Sequence, residues 1–373
     1  MKKRMKRKNQ SQERRQAEED KKLYYQEGES KGYLNIPWLM SLGTAWIIII
    51  GGRGTGKTYG VLQEAILNEW NFIFLRRLGK QLDIVRKPEY SPFKKLNKKL
   101  HTNITTFTEG ADMSGIYQDS VEDDKGNLKP SGKRLGFMSA LNVFQNVRGF
   151  DGDDYEYIVY DEFVPQKNER LLKGEADAIF NMYETVNRNR ELEDRPPVQM
   201  FMMSNSDDIT HPIFIQLKLV KILERMKKNG KEVYVDRERS ITVVYLQHSI
   251  ISEQKKEKTV IGRLTRGTSY GAMAYDNTFD VDLEHNISSE RLVEYKPLVS
   301  VGELCIYKHK SQRNRYYVSS HKSGSPREYS VTYSSLERFR RHEGAIIDAF
   351  YDDYIIYEDF YLEALLEKYI KGI

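Results

Sequence analysis

Cysteine is nearly absent from the chain, which has Cys305 alone among 373 residues. An intrachain disulfide is therefore impossible, and this composition is typical of a reducing cytosol. Long apolar runs are also missing. None approaches the roughly 20 residues that span a bilayer, and the N-terminus has no apolar signal core. We therefore expect a soluble protein without a membrane partner, neither secreted nor embedded.

A strong excess of one charge is lacking as well, since the net charge is only +5. The distribution is uneven, because residues 1–15 hold eight lysines and arginines but one acid, Glu13. We predict that residues 1–32 form a basic, disordered arm. Both a solvated tail and contact with nucleic acid or a partner protein are open for it.

The clearest signal is an apolar strand followed by a glycine-rich loop and a helix. Residues 46–50 are Trp-Ile-Ile-Ile-Ile, residues 51–58 match G-x-x-x-x-G-K-[ST] in full, and residues 59–70 have a helical pattern. Glycines allow backbone N–H groups to surround phosphate oxygens, and the helix adds the positive end of its dipole. This pattern predicts an ATP-binding loop made of Gly51, Gly52, Arg53, Gly54, Thr55, Gly56, Lys57 and Thr58.

Two side chains of this loop have predicted chemical roles. Lys57 would reach the β- and γ-phosphates, and the Thr58 hydroxyl would bind Mg²⁺. A glycine-rich turn that fits the pattern by chance is the alternative, but the strand and helix lie where a phosphate loop needs them.

A second apolar strand, residues 155–160, ends in two consecutive carboxylates, Asp161 and Glu162. Asp161 suits the Walker B role of orienting the Mg²⁺ ligands, and Glu162 suits polarisation of the water that attacks the γ-phosphate. A glutamate directly after the Walker B aspartate indicates the additional-strand, catalytic-glutamate class of P-loop NTPases, which includes RecA-, FtsK- and terminase-like proteins. We therefore predict an α/β fold with a mostly parallel sheet.

Three further segments have less specific patterns. Asn205 follows the apolar residues 198–203, where a sensor of the γ-phosphate belongs, although a helix or turn cap is the alternative. The lysines in residues 94–99 recur on one side of a predicted helix, and residues 110–136 predict a projecting basic hairpin or loop. Solvated surface and contact with DNA are both open for these two basic segments.

Together these segments resemble a known family, the DNA-packaging ATPases of small tailed bacteriophages (phi29-like encapsidation proteins), distant relatives of large terminases. The resemblance is carried by residues 51–58, Tyr160-Asp161-Glu162-Phe163, residues 183–188 (Tyr-Glu-Thr-Val-Asn-Arg), Ser204-Asn205 and residues 267–274 (Gly-Thr-Ser-Tyr-Gly-Ala-Met-Ala). It covers most of the chain from about residue 46 onward.

The resemblance implies a ring of five identical subunits that uses ATP and Mg²⁺ to pump double-stranded DNA into a procapsid. Its implied partners are the DNA, other copies of the chain and the portal of the procapsid, and a structural packaging RNA is a further candidate. The implied location is the host cytoplasm, transiently at the portal vertex. Residues 183–188 match the family's arginine-finger position, which selects Arg188, with Arg190 as the fallback; Arg148 and Arg53 are lower-ranked candidates for phosphate contact.

We divide the chain into the basic arm 1–32, a P-loop ATPase domain 33–206, a lid and linker 207–275, and a C-terminal domain 276–373. In the last, we expect strands at 298–308, 315–320, 327–333 and 354–357 and helices at 336–350 and 360–370. This order is that of an RNase H-like α+β nuclease domain. Glu303, Glu358 and Asp359 are the acids at its strands, and the aspartate expected in the first strand is absent, so we expect a vestigial nuclease.

Basic and aromatic residues between 307 and 317 in this domain predict a nucleic-acid surface, with a solvated hairpin as the alternative. Two other functions compete with the DNA-translocating ATPase. One is a terminase with an active metal-dependent endonuclease. The other is a nucleotide-switched nucleic-acid-binding protein, which Glu162 and the finger candidate disfavour because both serve hydrolysis.

Overall fold

The computed structural model describes residues 22–110, 113–144, 150–165, 172, 174–205, 211–247, 249–268, 271 and 286–371. Most of the expected basic arm, Arg148 and most of residues 267–274 lie outside these ranges. By internal contacts the chain divides into two units, residues 1–207 with 225–278 and residues 208–224 with 279–373.

Nine strands of the first unit form one sheet. Their bounds are β1 Trp46–Gly51, β2 Phe72–Arg76, β3 Thr105–Thr108, β4 Ser114–Glu122, β5 Leu128–Ala140, β6 Tyr157–Asp161, β7 Gln199–Ser204, β8 Val233–Asp236 and β9 Ile241–Leu246. In space they follow the order β3-β4-β5-β2-β6-β7-β1-β9-β8. The strands from β5 to β9 in this order pair in parallel, whereas β3, β4 and β8 pair antiparallel at the edges. The predicted, mostly parallel sheet is therefore confirmed.

Strand β7 separates the two strands that carry the nucleotide motifs. It pairs with β1, which leads into the glycine-rich loop, through Ile50 and Ser204. On its other side it pairs with β6 through Met203 and Asp161. A strand inserted between these two defines the additional-strand class, so this prediction is also confirmed.

Every residue of β1 is buried. A parallel strand with helices on both faces needs an uninterrupted apolar sequence, because neither side of the pleat meets water. The isoleucine run supplies that sequence, and the following loop starts at the carboxyl end of this buried strand.

The helices within the described residues are short to medium in length. Their bounds are α1 Ile36–Ser41, α2 Lys57–Leu67, α3 Gly79–Val85, α4 Lys94–Leu100, α5 Leu141–Phe144, α6 Glu175–Asn187, α7 Pro212–Gln216, α8 Val220–Lys228, α9 Ile250–Lys258, α10 Val260–Leu264, α11 Tyr333–His342, α12 Gly344–Tyr351 and α13 Phe360–Lys371. Single 3₁₀ turns lie at Pro88–Tyr90, Arg190–Glu193 and Leu292–Glu294. In the part of the chain so described, no helix is long and apolar enough to cross a membrane.

Two features differ from the sequence-based division of the middle of the chain. Residues 214–226 have the amphipathic pattern of a single helix, but the structure has α7 and α8 here, because Lys218 between them has a φ of +53°, which a helix cannot include. The range expected to be a linker, residues 207–275, contains β8 and β9. Strand β9 pairs directly with β1 and is therefore part of the large sheet.

The second unit contains a five-stranded sheet. Its strands are β10 Tyr295–Val301, β11 Leu304–His309, β12 Tyr316–Ser319, β13 Arg327–Tyr329 and β14 Ile355–Tyr357, in the spatial order β13-β10-β11-β12-β14. Strands β10, β11 and β12 pair antiparallel, and β13 and β14 lie parallel to their neighbours at the edges.

The expected element order in this unit needs two corrections. The expected strand 298–308 is a hairpin of β10 and β11, because Gly302 has a φ of +54° and reverses the chain. The expected helix 336–350 is divided into α11 and α12 at Glu343, whose carboxylate accepts hydrogen bonds from Arg327 and Tyr329. The closing strand and helix are present as β14 and α13.

Candidate nucleotide-binding and catalytic site

The glycine-rich loop turns tightly between β1 and α2. Gly54 and Gly56 have φ angles of +74° and +88°, a left-handed conformation that side chains with a Cβ rarely adopt. A Cβ on Gly56 would lie 2.7 Å from the ring of Tyr33. The loop therefore needs glycine at both positions, for backbone conformation and for space, as expected of a phosphate cradle.

Lys57 is buried and bonded to its own loop. Its Nζ donates hydrogen bonds to the carbonyl oxygens of Gly51 at 2.7 Å and Gly52 at 2.8 Å. Burial lowers the pKa of Lys57 to about 7, against the opposite effect of the nearby carboxylates of Asp161 and Glu162. A phosphate in the loop would supply the negative charge that this buried ammonium group favours.

Thr58 and Asp161 come together although 103 positions separate them. The Thr58 hydroxyl donates a 2.7 Å hydrogen bond to Oδ1 of Asp161. One hydroxyl and one carboxylate are the hard oxygen ligands that Mg²⁺ prefers when phosphates and water complete its shell. The residues present therefore fit a magnesium ion bound with a nucleotide, at the pair that the sequence analysis selected.

Arg76, at the end of β2, binds both carboxylates at the end of β6. Its Nη2 lies 2.9 Å from Oδ2 of Asp161, and its Nη1 donates to Oε2 of Glu162 at 2.6 Å. Burial raises the pKa of the Asp161 carboxyl, while Arg76 and the Thr58 hydroxyl oppose that rise. Sequence reasoning missed Arg76 as a site residue. The available signal was its position at the carboxyl end of a parallel strand, next in space to β6.

Glu162 is the more accessible of the two carboxylates, with 38% of its side chain exposed. Its second oxygen, Oε1, accepts a 3.2 Å hydrogen bond from Nδ2 of Asn205. Glu162 has a φ of +53°, an uncommon conformation for a residue other than glycine. The predicted base and the predicted sensor are thus in contact, at the ends of adjacent strands β6 and β7.

The two arginines near the end of α6 differ in their surroundings. Arg188 is 44% exposed and contacts Asp151 at 3.4 Å and the Phe150 carbonyl oxygen at 2.7 Å. Arg190 is buried, and its Nη2 donates to the carbonyl oxygens of Asp153 at 2.6 Å and Tyr155 at 2.9 Å. Arg188 is therefore the more exposed of the two, whereas Arg190 is buried and holds the backbone of its own chain.

The lower-ranked arginine candidates are Arg53 and Arg148, and the structure describes only the first of them. Arg53 is exposed in the phosphate loop and is one of the cations that lower the pKa of Lys57. Arg148 lies outside the described residues. Of the two, only Arg53 is thus placed close to the predicted phosphates.

The acids proposed for a nuclease site in the second unit are each hydrogen-bonded or paired. Glu303 lies in the β10–β11 turn and accepts from Tyr361 at 2.5 Å. Glu358 accepts from the Ser319 hydroxyl at 2.7 Å, and Asp359 pairs with Lys221 at 2.8 Å. Among the described residues, no group of three or more His, Cys, Asp or Glu side chains is arranged to hold a metal ion.

The predicted basic hairpin is present as β4 and β5, joined by a turn in which Asp123 accepts hydrogen bonds from the backbone of Lys125 and Asn127. Two of its cations pair with acids of the same unit, Lys133 with Glu69 at 3.2 Å and Arg134 with Glu109 at 2.7 Å. In the second unit, Lys308 lies 5.7 Å from the centre of the Tyr316 ring. These contacts are all within the chain and do not test DNA binding, which stays a prediction for both surfaces.

Comparison with known proteins gives consistent matches. The family model described as podovirus DNA encapsidation protein (Gp16) matches residues 20–301. The DNA packaging protein of Bacillus phage PZA is 25% identical over 327 residues, covering 85% of this chain and 85% of the relative. That of Bacillus phage phi29 is 27% identical over 266 residues, covering 70% of this chain and 67% of the relative.

Solved structures give the same fold. The bacteriophage Phi-29 viral genome packaging motor assembly contains a chain with a TM-score of 0.63 and 21% sequence identity, covering 91% of this chain and 98% of that one. The Phi-28 gp11 DNA packaging motor has the same TM-score, with 17% identity.

Proposed function

Because the chain belongs to the podovirus DNA encapsidation protein (Gp16) family, whose model matches residues 20–301, we propose that it hydrolyses ATP to move double-stranded DNA into a procapsid. The observation that carries the proposal is that the phosphate loop, Asp161, Glu162 and Asn205 lie together at the carboxyl ends of β1, β6 and β7. These groups supply binding, metal coordination and water activation, the requirements of phosphoryl transfer to water.

In this proposal the loop N–H groups and Lys57 bind the phosphates, and Thr58 and Asp161 hold Mg²⁺. When bound, the ion neutralises charge that develops on the phosphoryl oxygens. Glu162 orients and polarises the attacking water, and Asn205 fixes the carboxylate that does so. Oε2 of Glu162 accepts a hydrogen bond from Arg76 in the structure, and because this bond favours the ionised carboxylate, Glu162 becomes a stronger base when the bond is lost.

We extend the proposal to a ring of five subunits at the portal of the procapsid, in the cytoplasm of the host. A nucleotide between neighbours would receive Arg188 from the adjacent subunit, where its charge stabilises the transferring phosphoryl group. The exposure of Arg188 and its place at the end of α6 support this role. DNA, the portal and further copies of the chain are the proposed partners, and a structural RNA is a further candidate.

The function is tested with purified protein, empty procapsids, DNA and ATP, by protection of DNA from nuclease. We expect the wild type to protect DNA only when ATP is hydrolysed. Glu162→Gln should bind ATP normally but lose at least about 100-fold in turnover, because water activation is removed. Glu156→Gln, at an exposed residue immediately before β6, is the matched control. Wild-type turnover in the Glu162 variant, or DNA protection without ATP, contradicts the proposal.

The finger role has a separate test in mixed assemblies. Arg188→Ala and Glu162→Gln should each be inactive alone. When mixed, a Glu162→Gln subunit provides an intact Arg188 to a neighbour whose Glu162 is intact, so turnover should return. If the mixture stays inactive while both variants assemble, Arg188 does not act across the subunit interface.

A further inference from the structure

Lys255, on α9, reaches the phosphate loop from the outside. Its Nζ donates a 3.0 Å hydrogen bond to the carbonyl oxygen of Gly54. A Cβ on Gly54 would lie 1.6 Å from that nitrogen. The ammonium group thus occupies space against the loop backbone that only a glycine leaves open.

The position of α9 is fixed by its N-terminal packing. Ser249 caps the helix by accepting from the backbone N–H of Ser252 at 3.3 Å, and both serines are buried. Ile251 contacts Gly32, where a Cβ would lie 3.4 Å from its side chain. Gly32 precedes Tyr33, whose ring lies over Gly56. Helix α9 and the segment at Gly32 and Tyr33 therefore lie against each other. Together they cover the loop at Gly54 and Gly56, its two glycines with positive φ.

The charges around the loop are complementary to a polyphosphate. Burial lowers the pKa of Lys255, and so does the nearby ammonium group of Lys95 on α4. Lys255 and Arg53 in turn contribute to the lowered pKa of Lys57. Cations that depress one another's pKa are relieved when an anion lies among them.

We propose that Lys255 is a positioning residue of the nucleotide site, supplied by the same chain as the loop. It holds the loop through the Gly54 carbonyl oxygen and adds positive charge beside the bound polyphosphate. The inference rests on the proposed ATPase function. Since the loop surrounds the β-phosphate as well as the γ-phosphate, Lys255 supports the binding of ADP and ATP alike, and its effect falls on KM rather than on kcat.

The test uses three full-length variants, with ATP and ADP affinities from calorimetry and kcat and KM from steady-state turnover. Lys255→Met should weaken the binding of both nucleotides about tenfold, the size expected for one charge-assisted hydrogen bond, and leave kcat within about twofold. Lys255→Arg keeps a charged donor and should recover most of the affinity. Lys258→Met removes an exposed charge from the same helix and should bind as the wild type does.

The outcomes are distinguishable. If the wild type binds ATP and Lys255→Met binds it equally well, the inference is overturned and the proposed function stands. A loss of kcat at unchanged affinity, or the absence of any recovery in Lys255→Arg, also overturns it. Failure of the wild type itself to bind ATP removes the proposed function instead. Thermal unfolding without nucleotide shows whether Lys255→Met folds; if it does not, Lys255→Gln, which also removes the charge, takes its place and should show the same loss of affinity for both nucleotides.

Discussion

Arg76 joins the two carboxylates at the end of β6 into one hydrogen-bonded group. Asp161 is nearly buried, and two of its neighbours, Lys57 and Thr58, belong to the phosphate loop. Without a positive partner, an ionised carboxylate at this depth would lose most of its hydration at considerable cost. The arginine therefore stabilises the Asp161 carboxylate and also binds one oxygen of Glu162, the proposed base.

We expect Arg76→Met to lower the free energy of unfolding by about 3 kcal/mol, because it leaves a buried carboxylate without its partner. Urea unfolding of the nucleotide-free protein measures this change. Arg239→Ala removes an exposed arginine that pairs with Asp236 at 2.7 Å and should cost less than about 1 kcal/mol. Equal effects of the two substitutions would contradict the assignment of Arg76 to a buried pair.

The sequence identified Lys57, Thr58, Asp161, Glu162 and Asn205 because their motifs are local, and each lies within a few residues of a strand end. Arg76 and Lys255 could not be found in that way. Their roles depend on which strands are neighbours in the sheet and on where α9 packs, and neither is encoded in residue spacing. Arg190 illustrates the reverse case, since it was the fallback candidate two residues beyond Arg188, but its burial gives it a structural task.

Successive side chains at the end of β2 serve different elements. Arg76 faces the carboxylates of Asp161 and Glu162, and Arg77, fully buried, forms two hydrogen bonds with Glu175 in the first turn of α6 at 2.6 and 3.1 Å. Adjacent residues of a strand point to opposite faces of the sheet. The end of β2, which contacts Asp161 and Glu162 through Arg76, is thus also tied through Arg77 to the helix whose last turn leads to Arg188.

We expect Arg77→Met and Glu175→Gln each to destabilise the protein by about 3–5 kcal/mol, because each leaves one buried charge or donor without its partner. The Arg77→Met/Glu175→Gln double variant should lose less than the sum of the two. Denaturant unfolding of the three variants and the wild type gives the coupling energy. Additive losses would show that the pair does not act as a unit.

Glu363, on helix α13, is a buried carboxyl group whose ionised form is disfavoured. Burial, followed by the nearby carboxylates of Glu367 and Asp353, raises the pKa of Glu363 to about 7. Its Oε2 is buried and has no hydrogen-bond partner within the described part of the chain. The native state therefore keeps a proton that the unfolded chain releases between about pH 4.5 and 7, and the free energy of unfolding falls as the pH rises through that range.

Glu363→Gln should therefore be about as stable as the wild type near pH 4 and more stable by ~1 kcal/mol at about pH 8, allowing for partial solvent screening. Thermal unfolding across this pH range measures the difference. Glu337→Gln on α11 is a control of opposite sign, because hydrogen bonding to Arg340 lowers the pKa of Glu337. A Glu363 variant without pH-dependent stabilisation would contradict a buried, uncompensated carboxyl group.

Strands and helices with a continuous apolar pattern could be predicted from the sequence. Breaks caused by the backbone conformation of a single residue could not. The isoleucine run of β1 and the apolar run of β7 can only be covered strands, and the helix after a phosphate loop follows from the motif. The breaks at Lys218 and Gly302 depend on a left-handed backbone at one position, and the surrounding apolar pattern continues through both. The membership of β8 and β9 in the large sheet could not be predicted, because the choice of a partner strand is a tertiary property.

At the scale of the whole molecule, a short internal segment belongs to the C-terminal unit. Helix α7 contacts α13, and its Ile213 and Phe214 are almost fully buried. Lys221 pairs with Asp359 at 2.8 Å and lies 5.5 Å from the centre of the Tyr361 ring. A fragment that begins after the first unit therefore lacks part of its own core.

We expect a fragment of residues 276–373 to unfold at low temperature, because the apolar surface under α7 is exposed. A synthetic peptide of residues 208–224 added in excess should raise its melting temperature by mass action. A peptide of residues 225–241, from the first unit, is the control and should have no effect. A fragment that is equally stable with and without the 208–224 peptide would contradict the division of the chain into these units.

The separation of residues 208–224 in sequence from the rest of the C-terminal unit has a consequence for synthesis on the ribosome. Residues 208–224 emerge before β8 and β9, yet α13, against which they pack, is made about 135 residues later. At usual elongation rates this delay is on the order of ten seconds. During that interval the nascent chain can close the large sheet while an apolar segment between two of its strands waits for the C-terminus, which makes this segment a natural place for a chaperone to bind.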